Sequence, residues 1–262
     1  MRTPAACRSS LAGHVSGSAM LALVSLRRMV RSRQSAVCAL LLAAAGLAAT
    51  AWSLRHGAGF QEFVSEVVLP VYVSFLLPMF CLCCATPSIA ADREEQTLVY
   101  LLATPLPRPM ICAAKYAAAL ALALAWTMAT WAVLTRFAGP AGRALFRPFC
   151  PAVFWSTVAY VGLFHLFSVV LRRATVVALV YALFLETLLG NMPGIAKRAA
   201  ISFYTECMIL DAGAKMGLPP TVGREPELLL PVSGDAAWTV LCVLGFVFFA
   251  AGVWRFSRAE YA

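Results

Sequence analysis

Charge is scarce in this chain. Asp, Glu, Lys and Arg make up 13% of its 262 residues, against about 25% in an ordinary soluble domain, and that leaves too little polar surface to hold a globule in water. Strand-like alternation is missing, and the apolar runs are too long and uninterrupted for barrel strands. Histidine is limited to His14, His56 and His165. No pair stands at the helical spacing of His-Glu-x-x-His that a zinc protease needs. An intramembrane serine protease would want a Gly-x-Ser-x-Gly-like turn and a partnered histidine inside the bilayer, and only His165 falls within an apolar run. No Gly-Lys pair occurs, so a Walker A phosphate cradle is absent. The chain therefore has no usual means of hydrolysing ATP by itself. The nine cysteines lack the spacing of a disulfide framework.

What is present is apolar: 61% of the residues are hydrophobic and the mean hydropathy is +0.81. Runs of about 20 apolar residues, at 1.5 Å per residue, match a hydrocarbon core of roughly 30 Å. Backbone polar groups in lipid are satisfied only by helices or closed barrels. The fold class is thus all-α, a polytopic membrane protein. Six spans are predicted at 36–54, 67–87, 116–135, 150–171, 174–192 and 236–254. Residues 1–19 are small and polar and read as a disordered tail. Residues 20–34 mix apolar and basic side chains, which suits an amphipathic helix lying along the membrane interface. The basic cluster Arg27, Arg28, Arg31 and Arg33 follows the first apolar patch and directly precedes a span, which is not the order of a cleavable signal peptide.

The net charge of +9 comes from basic residues flanking spans, not from a nucleic-acid surface. Placing both termini, the 88–115 loop and Arg172–Arg173 on the inner side gathers 13 of the 21 Lys and Arg there. The other segments, 55–66, 138–149 and 193–234, then lie outside. Arg143 and Arg147 count against this orientation. The 193–234 segment, with five prolines, reads as too polar for another span.

Three features inside the spans carry possible chemistry. Cys81, Cys83 and Cys84 lie near the end of the second span; thiolates select soft metals, but no histidine or carboxylate accompanies them, and small residues also suit helix packing. No metal site is assigned. Glu186 sits about 18 Å into the fifth span at helical rise, where a carboxylate is costly and faces a cavity or a partner. It either lines a transport path or is a hydrogen-bonded structural acid. His165, shallower in the fourth span, either lines the path or packs against a backbone carbonyl.

The informative stretch runs from Ser88 to Tyr116. Residues 89–103 read as a helix with charged residues in front and Leu98, Leu101 and Leu102 behind. Thr104–Pro105 stops it, because the residue before proline disfavours helix. A stiff protrusion with charge at one end and apolar residues at the other is either a docking element or an amphipathic connector.

This stretch resembles the signature of permease subunits of type-2 ABC transporters, an acidic residue, Arg-Glu-x-Gly-Thr-Leu, then Leu-Leu-x-x-Pro, Arg and Lys, between the second and third spans. Arg93, Glu94, Thr97, Leu98, Leu101, Leu102, Pro105, Arg108 and Lys115 match it, while Gln96 stands where the family has glycine. The interfacial elbow, six spans, tight fourth-to-fifth turn and long segment before the last span follow the same order. The resemblance implies a permease subunit forming the pathway of ATP-driven transport, an exporter in a bacterial-type plasma membrane. It implies a partner permease, identical or not, and two copies of a separate cytosolic ATPase that holds ATP and Mg. This chain would bind no cofactor of its own. The 88–115 loop would couple to the ATPase through Arg93, Glu94, Glu95, Thr97, Leu98, Leu101, Pro105 and Arg108. The alternatives are an intramembrane protease or a membrane scaffold without transport.

Overall fold

The structure is a computed structural model and describes residues 4–55, 59–97, 106–185, 194–219 and 232–258. Every regular element among these residues is helical. Helix α1 spans Pro4–Val30 and α2 spans Arg33–Arg55, separated by a turn in which Ser32 donates its hydroxyl to the Met29 carbonyl at 2.7 Å. The helix beginning at Pro4 replaces the disorder expected for residues 4–19 and extends the expected 20–34 element toward the N-terminus.

Helix α3 spans Phe60–Ala85. Its middle, Val64–Leu76, winds in wider π turns around Pro70. Proline has no N–H to give and crowds the preceding turn, and the Ser74 hydroxyl donates to the Leu69 carbonyl at 3.0 Å. After Thr86 the short helix α4, Pro87–Glu94, follows. The helix expected over 89–103 therefore ends at Glu94; residues 98–105, with Leu98, Leu101, Leu102 and Pro105, lie outside the described residues.

Helix α5 spans Arg108–Phe137 and α6 spans Gly139–Val170. They are joined at Ala138–Gly139, where Gly139 has φ 81°. Close approach continues at Gly142, where an added Cβ would lie 2.6 Å from the Thr135 carbonyl oxygen. The loop expected over 138–149 is thus the opening of α6, and Pro148 and Pro151 sit inside that helix.

Helix α7 runs from Ala174 to Val180 and continues in π turns over Tyr181–Leu185. Glu186 and the rest of the expected fifth span lie outside the described residues. A 3-10 segment, Gly194–Ala199, precedes α8, Ile201–Ala214, and α9 spans Gly234–Arg258. Helix α8 lies within the 193–234 segment, which reads as too polar for another span. It packs between α6 and α9, and the Thr205 hydroxyl donates to Ser156 of α6 at 2.8 Å.

Five helices, α2, α3, α5, α6 and α9, are long and apolar enough to cross a membrane, and α7 is a shorter apolar helix. Two-thirds of the apolar stretches of α3 and α6 are buried within the chain, against 22% for α2 and α9. The bundle is therefore centred on α3 and α6, with α2 and α9 on its outside. Trp131, Tyr72 and Phe149, all fully buried, stack across the middle. Tyr72 closes its polar end by donating its hydroxyl to the Thr127 carbonyl at 2.8 Å, as a buried polar group in an apolar interior must.

Candidate functional site

The motif residues fall where α1, α4, α5 and α6 meet. Beneath them is an apolar floor in which Ile89 of α4, Ile111 of α5, Val169 of α6 and Phe256 of α9 are packed together, with Leu21 of α1 against them. Each helix contributes one large side chain, so α4 cannot shift without opening this cluster.

Three sets of polar contacts fix α4 above the floor. The first is at its start. Ser168 of α6 donates its hydroxyl to the Thr86 carbonyl at 2.8 Å and accepts the Ala90 N–H at 3.0 Å, which stitches the break between α3 and α4 to α6. Beside it, the Ser88 hydroxyl donates to the Ala85 carbonyl at 2.6 Å and lies 2.9 Å from His165 Nδ1. With its own hydrogen committed, Ser88 accepts the proton of Nδ1. Nε2 is then the acceptor for the Cys112 thiol, 3.4 Å away. This assigns a neutral imidazole with both nitrogens satisfied. His165 is fully buried, with the Tyr116 ring edge-on to it.

The second set is Arg93. Its guanidinium donates to the carbonyls of Leu171 at 2.9 Å, Ser168 at 3.0 Å and Val169 at 3.1 Å. These are the carbonyls at the end of α6, which lack partners within their own helix and carry the negative end of its dipole. A planar fork of donors is suited to this task in a way that an ammonium is not.

The third set is a charge cluster around Asp92, whose side chain is 7% exposed. Lys115 Nζ lies 2.5 Å from one carboxylate oxygen and Arg28 of α1 2.8 Å from the other. Arg28 also pairs with the more exposed Glu95. Partial burial of Arg28 disfavours its charge, but the hydrogen bond to Glu95 and the fields of both carboxylates outweigh this and raise its basicity. A buried carboxylate held by two cations stays in place because removing any partner strands a charge.

Gln96 ends α4 in the left-handed region, with φ 55°. The Thr97 N–H bonds to the Asp92 carbonyl at 2.9 Å and the Gln96 N–H to that of Arg93 at 3.2 Å. This is the Schellman arrangement, whose left-handed position favours glycine. Glu94 and Glu95 are exposed, as is Arg108 at the first turn of α5.

Sequence reasoning named Arg93, Glu95 and Lys115 but not the roles they take here. Arg93 faces α6 and Glu95 faces α1. Arg28 and Asp92 were the missed pair. Their separation of 64 positions leaves no local signal, and the basic cluster around Arg28 reads equally well as an orientation signal. Cys81, fully buried, has its thiol 4.0 Å from the Thr157 carbonyl. Among the described residues no group of three or more His, Cys, Asp or Glu is arranged to hold a metal ion.

A family model described as ABC-2 family transporter protein matches residues 10–261. The chain belongs to the ABC-2 transporter family. No curated protein matches it. As an ABC-2 protein it is a multi-pass membrane permease component of an ABC transporter, not itself catalytic, and works with an ABC ATPase. The ABC-2 match covers all three sets of contacts around α4, so the cluster belongs to the family domain and not to an appendage.

Proposed function

We propose that this permease forms the pathway of an ATP-driven exporter in a bacterial-type plasma membrane, with both termini and the α4 end of the bundle facing the cytosol. In this reading α2, α3, α5, α6, α9 and α7 continued through 186–192 make six spans. Helix α1 is the elbow, and α4 with the residues after it is the coupling element. The partners are a second permease, identical or different, and two copies of the cytosolic ATPase, which holds the ATP and Mg.

The observation that carries the reading is that α4 is tied to the ends of three other helices, by Arg93 to α6, Lys115 of α5 to Asp92, and Arg28 of α1 to Asp92 and Glu95. A chain without a phosphate-binding loop takes its energy from contact with another subunit, and that contact must be stiff to pass on motion. Since Arg93, Glu95 and Thr97 are engaged within the chain, the ATPase-facing contact is assigned to the exposed Glu94 with the apolar Leu98 and Leu101. Rim charges set orientation and on-rate, whereas buried apolar anchors carry most of the affinity. Glu186 is proposed to line the path, and His165 to anchor α4.

Co-purification tests the coupling role. Leu98→Asp is expected to abolish recovery of the ATPase and Glu94→Ala only to weaken it, with both variants inserted in the membrane at normal levels. Recovery of the ATPase at normal stoichiometry with Leu98→Asp would remove this segment from the coupling interface.

A further inference from the structure

Between the end of α1, the α1–α2 turn and α4 lies a cavity of about 200 Å³. Its floor is Asp92 and Lys115, both buried. Its mouth carries Arg33, exposed at the first position of α2, and Glu95, whose side chain is 56% exposed; Ser25 and Ser32 belong to its wall. Cations and carboxylates therefore converge in one small space. A purely anionic ligand would meet Glu95 and Asp92, and a purely cationic one would meet Arg33 and Arg28. A zwitterion with its two charges a few bonds apart satisfies both sets.

The mouth continues into an apolar stripe. Counting from Arg33 in alternate steps of four and three gives Val37, Leu40, Ala44, Leu47, Ala51 and Leu54, which is one face of a helix. All six are exposed, Leu40 and Leu47 to 71% and Leu54 to 87%. From Arg33 to Leu54 the stripe rises about 32 Å, the thickness of a hydrocarbon core. A polar cavity of both signs, opening at the head of an uncovered apolar track, is shaped for a molecule with a zwitterionic head and a long apolar tail.

We propose that this cavity is a binding site for an aminophospholipid of the phosphatidylethanolamine class. The phosphate is held by Arg33, and the ammonium donates to the carboxylate of Glu95, which has acceptor capacity beyond its bond to Arg28. The acyl chains run along Val37, Leu40 and Ala44. The occupied site joins α2 and α4 through the ligand, adding a lipid-dependent tie to the protein-only ties of Arg28. Only the assignment of the leaflet rests on the proposed topology. Binding itself does not involve the ATPase, so failure here and failure of the coupling role are separate results.

The test uses the full-length protein, delipidated in detergent, and follows its thermal unfolding during titration. Four probes are compared: dihexanoyl phosphatidylethanolamine, the matching phosphatidylcholine and phosphatidylglycerol, and phosphoethanolamine without chains. Choline lacks N–H donors and glycerol lacks the cation, so each should need about tenfold more lipid for half-saturation, the value of one charge-assisted hydrogen bond. Phosphoethanolamine should be weaker still. Arg33→Ala should raise half-saturation by phosphatidylethanolamine about tenfold while leaving the melting temperature of the lipid-free protein unchanged, because Arg33 is exposed. An equal response to all three lipids, or an unchanged titration in Arg33→Ala, would overturn the proposal. Phosphoethanolamine acting as well as the lipid would make the site one for a soluble zwitterion and overturn the lipid assignment. Cross-linking of Leu47→Cys between two copies, unaffected by added phosphatidylethanolamine, would show a second copy on the stripe and also overturn it.

Discussion

Gln96 and Gly217 hold the same position in two helix ends. After α4, the Thr97 N–H reaches back to the Asp92 carbonyl at 2.9 Å across Gln96, with φ 55°. After α8, the Leu218 N–H reaches back to the Gly213 carbonyl at 3.0 Å across Gly217, with φ 86°. The two turns share their hydrogen bonds and differ in the residue that carries the left-handed conformation. Glycine takes it freely; glutamine pays with its Cβ.

The difference is measurable. Gln96→Gly should stabilise the protein, since the strain of one left-handed residue is about 1 kcal/mol, and Gly217→Gln should destabilise it by a similar amount. Thermal unfolding of the purified protein gives both signs. A Gln96→Gly variant that melts lower would mean that glycine's extra freedom in the unfolded chain outweighs the relieved strain.

Arg93 should behave as a cap and not as a surface charge. Arg93→Ala leaves three carbonyls at the end of α6 without their donor, a loss of about 2–3 kcal/mol. Arg93→Lys should recover part of it, because an ammonium cannot span the three acceptors as the guanidinium does. Hydrogen exchange near Ser168–Arg173 should rise in the order wild type, Lys, Ala. Equal exchange in all three would place the guanidinium elsewhere.

The Asp92 cluster predicts strong non-additivity. Asp92→Asn strands the buried Lys115 ammonium and should cost about 3–5 kcal/mol. Combining it with Lys115→Met removes the stranded charge and should restore much of that loss. Glu95→Gln, at an exposed pair, should cost under about 1 kcal/mol. A double-mutant cycle in denaturant measures the coupling, and additive effects for Asp92 and Lys115 would dissolve the pair.

Orientation can be read by single-cysteine labelling on a cysteine-free background. With the α4 end in the cytosol, an impermeant reagent added to intact cells should label position 220 strongly and position 94 not at all. The reverse pattern would invert the proposed topology.

Five of the six expected spans, α2, α3, α5, α6 and α9, were legible because length and hydropathy alone decide them; α2, α5 and α9 needed no knowledge of neighbours. Helix α8 was not, because Thr205, Glu206 and Asp211 break its apolar pattern, and the Ser156 that Thr205 meets lies 49 positions away. The early end of α4 was hidden for a related reason: a left-handed glutamine has no local signature, and residues 89–103 keep helical spacing across it. At the site, the motif marked the right segment, but Ser88, His165 and Cys112 meet across separations of 77 and 53 positions. Charge type was readable in Arg28 and Asp92, and partnership was not.

Arg93 grips the end of a long rod. Helix α6 has 32 residues, about 48 Å at helical rise, and its far end is fastened to α5 through Gly139 and the tight approach of Gly142 to Thr135. A tilt of about 5° at the gripped end carries the opposite end through about 4 Å, a distance comparable to one helical turn. A rigid tilt of α6 would thus pass a displacement of α4 toward the opposite face of the bundle, and Pro148 and Pro151 near its other end set where such a rod could bend.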